Sequence, residues 1–298
     1  MAPEPVRTIT DVKPARFDYF DPRTFDEAVQ ALAGAAGDAK VMAGGQSLMP
    51  LMNMRLVRPA VVVDINRVEG ANYVKSANGS LAIGATTRQR SLESDPLIGE
   101  RQPILRTAAN HIGHTQIRSR GTICGSIAHA DPAAELPALA LALDAEMEAQ
   151  SPRGRRRIPA AEFFVDYLTT ALEPDEILVE TRFPAAPSGI TWAFKEVSRR
   201  HGDFAMVGIV AGLALEGGTI SDARLTYFGV GGTPFRAREV EAHLKGQPAG
   251  EEAFRAAAAA VQPLLDPSDD VHATAAYRRS VAGVLTERAL NECWRRES

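Results

Sequence analysis

Val41-Met42-Ala43-Gly44-Gly45-Gln46-Ser47-Leu48 and, further along, Arg120-Gly121-Thr122-Ile123-Cys124-Gly125-Ser126 are the stretches whose reading decides the fold. Each sets small residues and hydroxyls at the end of a strand-like run. Glycine lacks a Cβ and reaches backbone angles that other residues resist, so neighbouring N–H groups in such a turn can face one anion together. Ser47, Thr122 and Ser126 add side-chain donors. One glycine turn is common in any fold. Two of them in one apolar region can grip a diphosphate from both sides, which points to a large anionic cofactor. Neither matches G-x-G-x-x-G or G-x-x-x-x-G-K-[ST], so an ordinary dinucleotide fingerprint or P-loop is disfavoured.

Working outward, Thr24 and Glu27 have capping-box spacing and open a helix that stops near Gly37. A strand over 40–43 enters the first loop. The run Ala60-Val61-Val62-Val63-Asp64-Ile65 does not alternate, as expected of a strand buried on both faces. Another strand is expected over 81–86, helical patterning over 104–112, and an apolar helix over 132–143 with Pro132 in its first turn. Strands over 176–183, 191–198, 205–215 and 219–228 follow with short connections that favour antiparallel pairing. Helices over 254–261 and 273–295 end the chain. The expected divisions are a flexible leader (1–13), a first domain (14–186) with two parts meeting near 67–70, and a second domain (187–298).

The 298 residues are 45% hydrophobic and 23% charged, enough for a substantial core. Lys plus Arg number 33 against 37 Asp plus Glu, and a net charge of −4 gives no overall attraction to nucleic acid or anionic membranes. Any anion site is therefore local. The two cysteines, Cys124 and Cys293, form no CxxC pair and exclude a Cys-ligated iron–sulfur cluster carried by this chain alone. No apolar run approaches the ~18 residues of a membrane span. Met1-Ala2-Pro3-Glu4-Pro5 shows no secretory pattern, so a cytoplasmic location is expected.

The ordered series of motifs adds a resemblance. Residues 41–48, Val63-Asp64-Ile65, Gly84-Ala85-Thr86, 120–132, Asp175-Glu176-Ile177-Leu178, 195–205 and Gly229-Val230-Gly231-Gly232-Thr233-Pro234 resemble the FAD-binding medium subunits of the molybdenum hydroxylases. That family includes flavoprotein subunits of carbon monoxide dehydrogenase and bacterial xanthine dehydrogenase-type enzymes. The resemblance implies an α+β chain: a vanillyl-alcohol-oxidase-type FAD-binding domain in two α/β parts, then a smaller domain with an antiparallel sheet and helices. It implies noncovalent FAD, with Val41, Met42, Ala43, Gly44, Gly45, Gln46, Ser47, Leu48, Thr122, Ile123, Cys124, Gly125 and Ser126 around its pyrophosphate. Glu135 matches an acidic cofactor contact, Leu178 packs near the flavin ring, and Lys195 lies by its pyrimidine edge, where positive charge favours the anionic reduced form. Asp203 and Phe204 are candidates for gating the electron acceptor's entry. The implied partners are a large molybdenum-cofactor subunit and a small two-iron, two-sulfur subunit, assembled as a dimer of heterotrimers, with no nucleic acid and no membrane insertion.

One departure stands out, since Cys124 replaces the first of two adjacent glycines usual in the second loop. A position needing φ > 0 there would cost about 1 kcal/mol or more and loosen the cofactor, whereas a compatible backbone makes the change nearly neutral and leaves a small buried thiol tolerated by the loop. His111, His114 and His129 match no compact metal-ligand spacing, and Arg153-Gly154-Arg155-Arg156-Arg157 reads most simply as a solvated hairpin tip. No nucleophile or acid–base pair stands out, as suits electron transfer through a flavin. A stand-alone flavin oxidoreductase and a flavin-free scaffold subunit are the alternative readings.

Overall fold

The computed structural model describes residues 14–297, so the leader expected over 1–13 lies outside the described residues. Thr24 Oγ1 accepts the Glu27 N–H at 3.2 Å and Glu27 Oε2 accepts the Arg23 N–H at 2.8 Å, starting α1 (Phe25–Gly34). Ala28, Val29 and Leu32 form its buried stripe. Strands β1 (Asp18–Phe20), β2 (Ala39–Met42) and β3 (Val61–Asp64) make a parallel sheet in the order β1-β3-β2, with α2 (Leu48–Asn53) leading from β2 towards β3. Val62 and Val63, in the central strand, are buried, as the unbroken apolar run requires.

A second sheet joins β4 (Val74–Ala77), β5 (Ser80–Gly84), β6 (Glu146–Ser151), β7 (Gly154–Pro159) and β10 (Ile177–Phe183) in the antiparallel order β4-β5-β10-β6-β7. Between β5 and β6 the chain winds through α3 (Ser91–Ser94), α4 (Pro96–Arg101), α5 (Pro103–Ala109), α6 (Thr115–Arg120), α7 (Ile123–His129) and α8 (Glu135–Ala142). The short α9 (Ala160–Phe163) and the hairpin of β8 (Phe164–Asp166) and β9 (Thr169–Thr170) precede β10. The last sheet is the antiparallel meander β11 (Ile190–Val197), β12 (Val207–Glu216), β13 (Thr219–Phe228) and β14 (Phe235–Arg236), followed by α10 (Arg238–Leu244), α11 (Glu251–Val261) and α12 (Ala275–Glu297).

This meander is covered on both sides. Trp192, Phe194, Val210 and Phe228 join the core formed with α5, α7 and α8, whereas Ala193, Ile209, Ala211 and Leu213 join the core formed with α11 and α12. Two covered faces explain why β12 reads as an unbroken apolar run.

Two expectations need correction. Residues 176–183 do not pair with the strand that follows; β10 sits between β5 and β6, where its almost wholly buried residues find a neighbour on each edge. Glu180, buried there, accepts from Tyr73 Oη at 2.6 Å and pairs with Arg182. Nor is Pro132 in a first helical turn. Ala130 closes α7 in the left-handed conformation, Asp131 Oδ1 accepts the Ala133 N–H, and α8 starts only at Glu135. Pro132 instead offers its carbonyl to the Gly229 N–H at 2.7 Å, tying this turn to the end of β13.

On the meander face turned towards α5, α7 and α8, Phe228 of β13 stacks on Phe194 of β11 at 5.7 Å. Gly208 faces Phe228 across β12 and β13, and a Cβ there would fall 1.9 Å from the ring. Gly208→Ala is therefore expected to destabilise the fold by about 1–3 kcal/mol through overpacking, measurable as a lower urea midpoint.

Candidate functional site

The first glycine turn leaves β2 as expected. Gly45 takes φ +71°, in the region that disfavours side chains, and Gln46 Nε2 donates to Gly44 O at 3.0 Å, tightening the turn. The second turn leaves a helix, not a strand: α6 ends at Arg120 and Gly121 carries the chain into α7. What looked like a strand is a short bridge, in which Gly121 O accepts the Gln89 N–H at 2.9 Å and Thr87 O accepts the Ile123 N–H at 3.0 Å. Thr122 then caps α7, its Oγ1 accepting the Gly125 N–H at 3.0 Å.

Folding presses the two turns together. A Cβ on Gly44 would lie 2.4 Å from Arg120 O and 2.6 Å from Gly121 Cα, and one on Gly125 would lie 2.4 Å from Thr122 Oγ1. Main chain meets main chain at a seam with no room for a side chain on Gly44.

Two residues that the sequence reading passed over hold this seam. Asn66 Nδ2 donates to Ala43 O in the first turn and to Asp64 Oδ1, both at 2.5 Å. Arg88 Nη2 donates to Asn66 Oδ1 at 2.7 Å, and Arg88 Nη1 to Arg120 O in the second turn at 2.5 Å. Asp64 Oδ2 accepts from Tyr19 Oη at 2.7 Å. Burial, with Arg120 adding to it, pulls the Arg88 pKa down. Asn66 and Arg88 lie just beyond the motifs ending at Ile65 and Thr86, and their polar character after apolar strands was the available signal.

Cys124 does not face the cradle. It occupies α7 without a positive φ, and its Sγ lies 3.5 Å from Ile83 O and 3.3 Å from Thr181 Oγ1, inside the core. Burial pushes the thiol up to about 12, so it stays protonated. The feared backbone strain is absent, because the position is helical. Leu178 lies in the same core, in β10 opposite Ala149.

Lys195 pairs with an acidic residue of the last helix. Alternation along β11 turns Phe194 and Glu196 one way and Lys195 the other, where its Nζ pairs with Glu292 on α12. Its side chain is on the meander face opposite Phe194.

Glu135 begins α8 and is buried, which pushes its carboxyl up to about 8, with Glu196 and Asp131 adding to the shift. Glu196 Oε1 lies 3.2 Å from His111 Nδ1, whose ring sits 4.9 Å from Phe194, while Glu196 Oε2 is buried without a hydrogen-bond partner among the described residues. His114 instead packs against Gly202. The basic run at 153–157 is the β6–β7 hairpin, with Arg153, Arg155 and Arg156 paired to Asp175, Glu148 and Glu176.

Asp203 and Phe204 line a cavity of about 750 Å³ with Asp131, Tyr167, Gly231 and Arg278. Phe204 is 63% exposed at its wall. Arg278 fixes that wall by donating to Met206 O and Gly229 O and pairing with Asp270 at 2.7 Å. None of the residues of the two turns borders this cavity.

Residues 15–186 match the family model for the FAD binding domain in molybdopterin dehydrogenase, and residues 192–293 that for the CO dehydrogenase flavoprotein C-terminal domain. The chain belongs to the FAD-binding subunits of the molybdenum hydroxylases. It is 45% identical to the 6-hydroxypseudooxynicotine dehydrogenase complex subunit alpha of Paenarthrobacter nicotinovorans, over 94% of this chain and 95% of that one. It is 38% identical to the carbon monoxide dehydrogenase medium chain of Hydrogenophaga pseudoflava, over 95% and 99% of the two chains. A solved structure of carbon monoxide dehydrogenase from that organism superimposes with a TM-score of 0.92 at 39% identity, covering 95% of this chain and 99% of the other. The chain is thus an FAD-binding oxidoreductase subunit. Among the described residues no helix is long and apolar enough to cross a membrane.

Gly44→Ala should part the two turns and lower bound FAD at least tenfold, with the far-ultraviolet circular dichroism unchanged; parent-like flavin content would contradict a main-chain seam. Glu135 gives a pH signature. Its carboxyl is about 8 folded against 4.5 as the ordinary value, so between those values only the folded state holds the proton, and stability falls as pH rises. The limit is about 1.4 kcal/mol per pH unit. Glu135→Gln should melt increasingly above the parent from pH 5 to pH 8, and a constant difference would show the carboxyl to be ionised throughout.

Proposed function

We propose that this chain is the electron-transfer flavoprotein of a multi-subunit molybdenum hydroxylase, taking electrons from the iron–sulfur clusters of a small two-iron, two-sulfur partner and passing them to an external acceptor. Substrate oxidation takes place at the molybdenum cofactor of a large partner subunit, and the complex is a dimer of heterotrimers in the cytoplasm. The observation that carries the reading is the seam at which Gly44 meets Arg120 and Gly121 main chain. Support for a complex comes from relatives that are subunits of dehydrogenases.

When bound, FAD accepts electrons singly and releases them in pairs, the conversion an iron–sulfur donor and a two-electron acceptor require. The chain's own residues position and insulate. Main chain of Val41, Met42, Ala43, Gly44, Gly45, Gln46, Ser47 and Leu48, and of Thr122, Ile123, Cys124, Gly125 and Ser126, surrounds the diphosphate, with Asn66 and Arg88 fixing the spacing of the two turns. Glu135, neutral at pH 7, is able to donate a hydrogen bond to a cofactor oxygen, and Leu178 supplies apolar packing. Asp203 and Phe204, at the cavity wall, control access of the acceptor. Residues 14–186, in two parts meeting near 67–70, form the cofactor-binding domain, and 187–298 the second domain.

Two measurements test the proposal. The purified chain should take up one equivalent of FAD, releasable by denaturation, and oxidise no substrate alone. Reassembled with its molybdenum and iron–sulfur subunits, it should bleach at the flavin band when substrate is added. Bleaching that persists without the iron–sulfur subunit would overturn the proposed electron path.

A further inference from the structure

The cavity bordered by Asp203 and Phe204 draws its lining from both halves of the chain. Tyr167, at the turn of the β8–β9 hairpin, comes from the first half, and Phe204, in the connection from β11 to β12, from the second. Both rings are largely exposed, at 62% and 63%. Gly231 and Gly232, in the segment 229–234 that follows β13, add wall without side chains. A volume of about 750 Å³ suits a small molecule, and aromatic faces beside bare main chain suit a flat ring.

The charge of the lining narrows the choice. Arg278 is buried and engaged in holding the wall, through Met206 O, Gly229 O and Asp270 at 2.7 Å. That pair is balanced within itself. Of the remaining lining groups Asp131, Asp203 and Asp266 are anionic and Arg199 is cationic, with His272 the one imidazole. Carboxylates therefore outnumber cations even with that imidazole protonated. Asp266 has Arg279 at 3.8 Å, outside the lining, but the Asp266 side chain is wholly exposed and solvent screens such a pair. An acceptor that carries phosphates would bring further negative charge to this wall, and the Gly229 N–H at its edge is already spent on Pro132 O at 2.7 Å.

We propose that this cavity admits an uncharged, planar acceptor of the quinone class and turns away anionic acceptors, a nicotinamide dinucleotide among them, with Asp131, Asp203 and Asp266 supplying the repulsion. The inference rests on the electron-transfer reading above and deepens it by naming the class of acceptor. Reduced flavin, FADH−, passes two electrons and one proton to the quinone ring, one further proton comes from water, and FAD and the quinol result. Tyr167 and Phe204 provide the apolar faces, and the aspartates set the charge that an incoming molecule meets.

The test uses the full chain loaded with FAD, reduced with dithionite and freed of excess, so that no iron–sulfur subunit offers a second exit for electrons. Reoxidation is followed at the flavin band with ferricyanide, a trianion, and with a short-chain benzoquinone, which is uncharged. The ferricyanide rate should rise about fivefold from low to physiological salt, as repulsion is screened, and the quinone rate should not respond. At low salt Asp203→Asn should raise the ratio of ferricyanide to quinone rates by about threefold. Glu216→Gln removes the same charge at the far end of β12, roughly 30 Å from Met206 by strand rise, and should leave that ratio unchanged. Calorimetric titration of the oxidised chain, in which nothing turns over, should show the benzoquinone binding about tenfold more tightly than NAD. A ferricyanide rate that falls with salt, a ratio moved equally by Glu216→Gln and Asp203→Asn or by neither, or tighter binding of NAD would overturn the acceptor class while leaving the flavoprotein intact. A folded chain that takes up no FAD would instead overturn the functional reading itself.

Discussion

The contact on which the rest depends is main chain against main chain, Gly44 on the Arg120–Gly121 peptide. Backbones approach this closely only where both partners lack a Cβ or turn it aside, so the site is specified by absences of side chain as much as by donors. The surrounding structure enforces the approach. The parallel strands β2 and β3 deliver the first turn and Asp64, and the bridge between Arg88 and Thr122 delivers the second. Asn66 and Arg88 complete the join with hydrogen bonds that are short in sequence reach on neither side.

A second constraint is the burial of the meander on both faces. It places β11 between the helices that surround the cofactor turns and the C-terminal helices, so alternate residues of one strand serve different cores. Glu196 and Phe194 look towards α5 and α8, and Lys195 towards α12. Burying Glu135 and Glu196 near each other is unfavourable when both are ionised. One proton on Glu135, and the His111 partner of Glu196, relieve that repulsion at the boundary between the two halves.

Much of the architecture was legible in local patterns. The unalternating valines of β3, the spacing of Thr24 and Glu27, and the glycine turns each express a physical requirement that acts within a few residues. The order of motifs along the chain carried the family. Three local readings failed for nonlocal reasons. The strand at 177–183 was drawn into a sheet with partners far away in sequence, Pro132 was recruited as an acceptor for Gly229, and the strand-like approach to Gly121 is the end of α6, followed by a bridge to Arg88.

The amino-acid sequence by itself determined that two glycine turns exist, that no iron–sulfur cluster is ligated by this chain's cysteines, and that the charge needed for an anion must be concentrated locally. Only the tertiary structure decided which side chains tie the two turns together and which face of β11 each residue serves. The reason is one of range: backbone freedom and capping are properties of neighbouring residues, whereas Arg88 meeting Asn66, and Lys195 meeting Glu292, depend on the packing of segments distant along the chain.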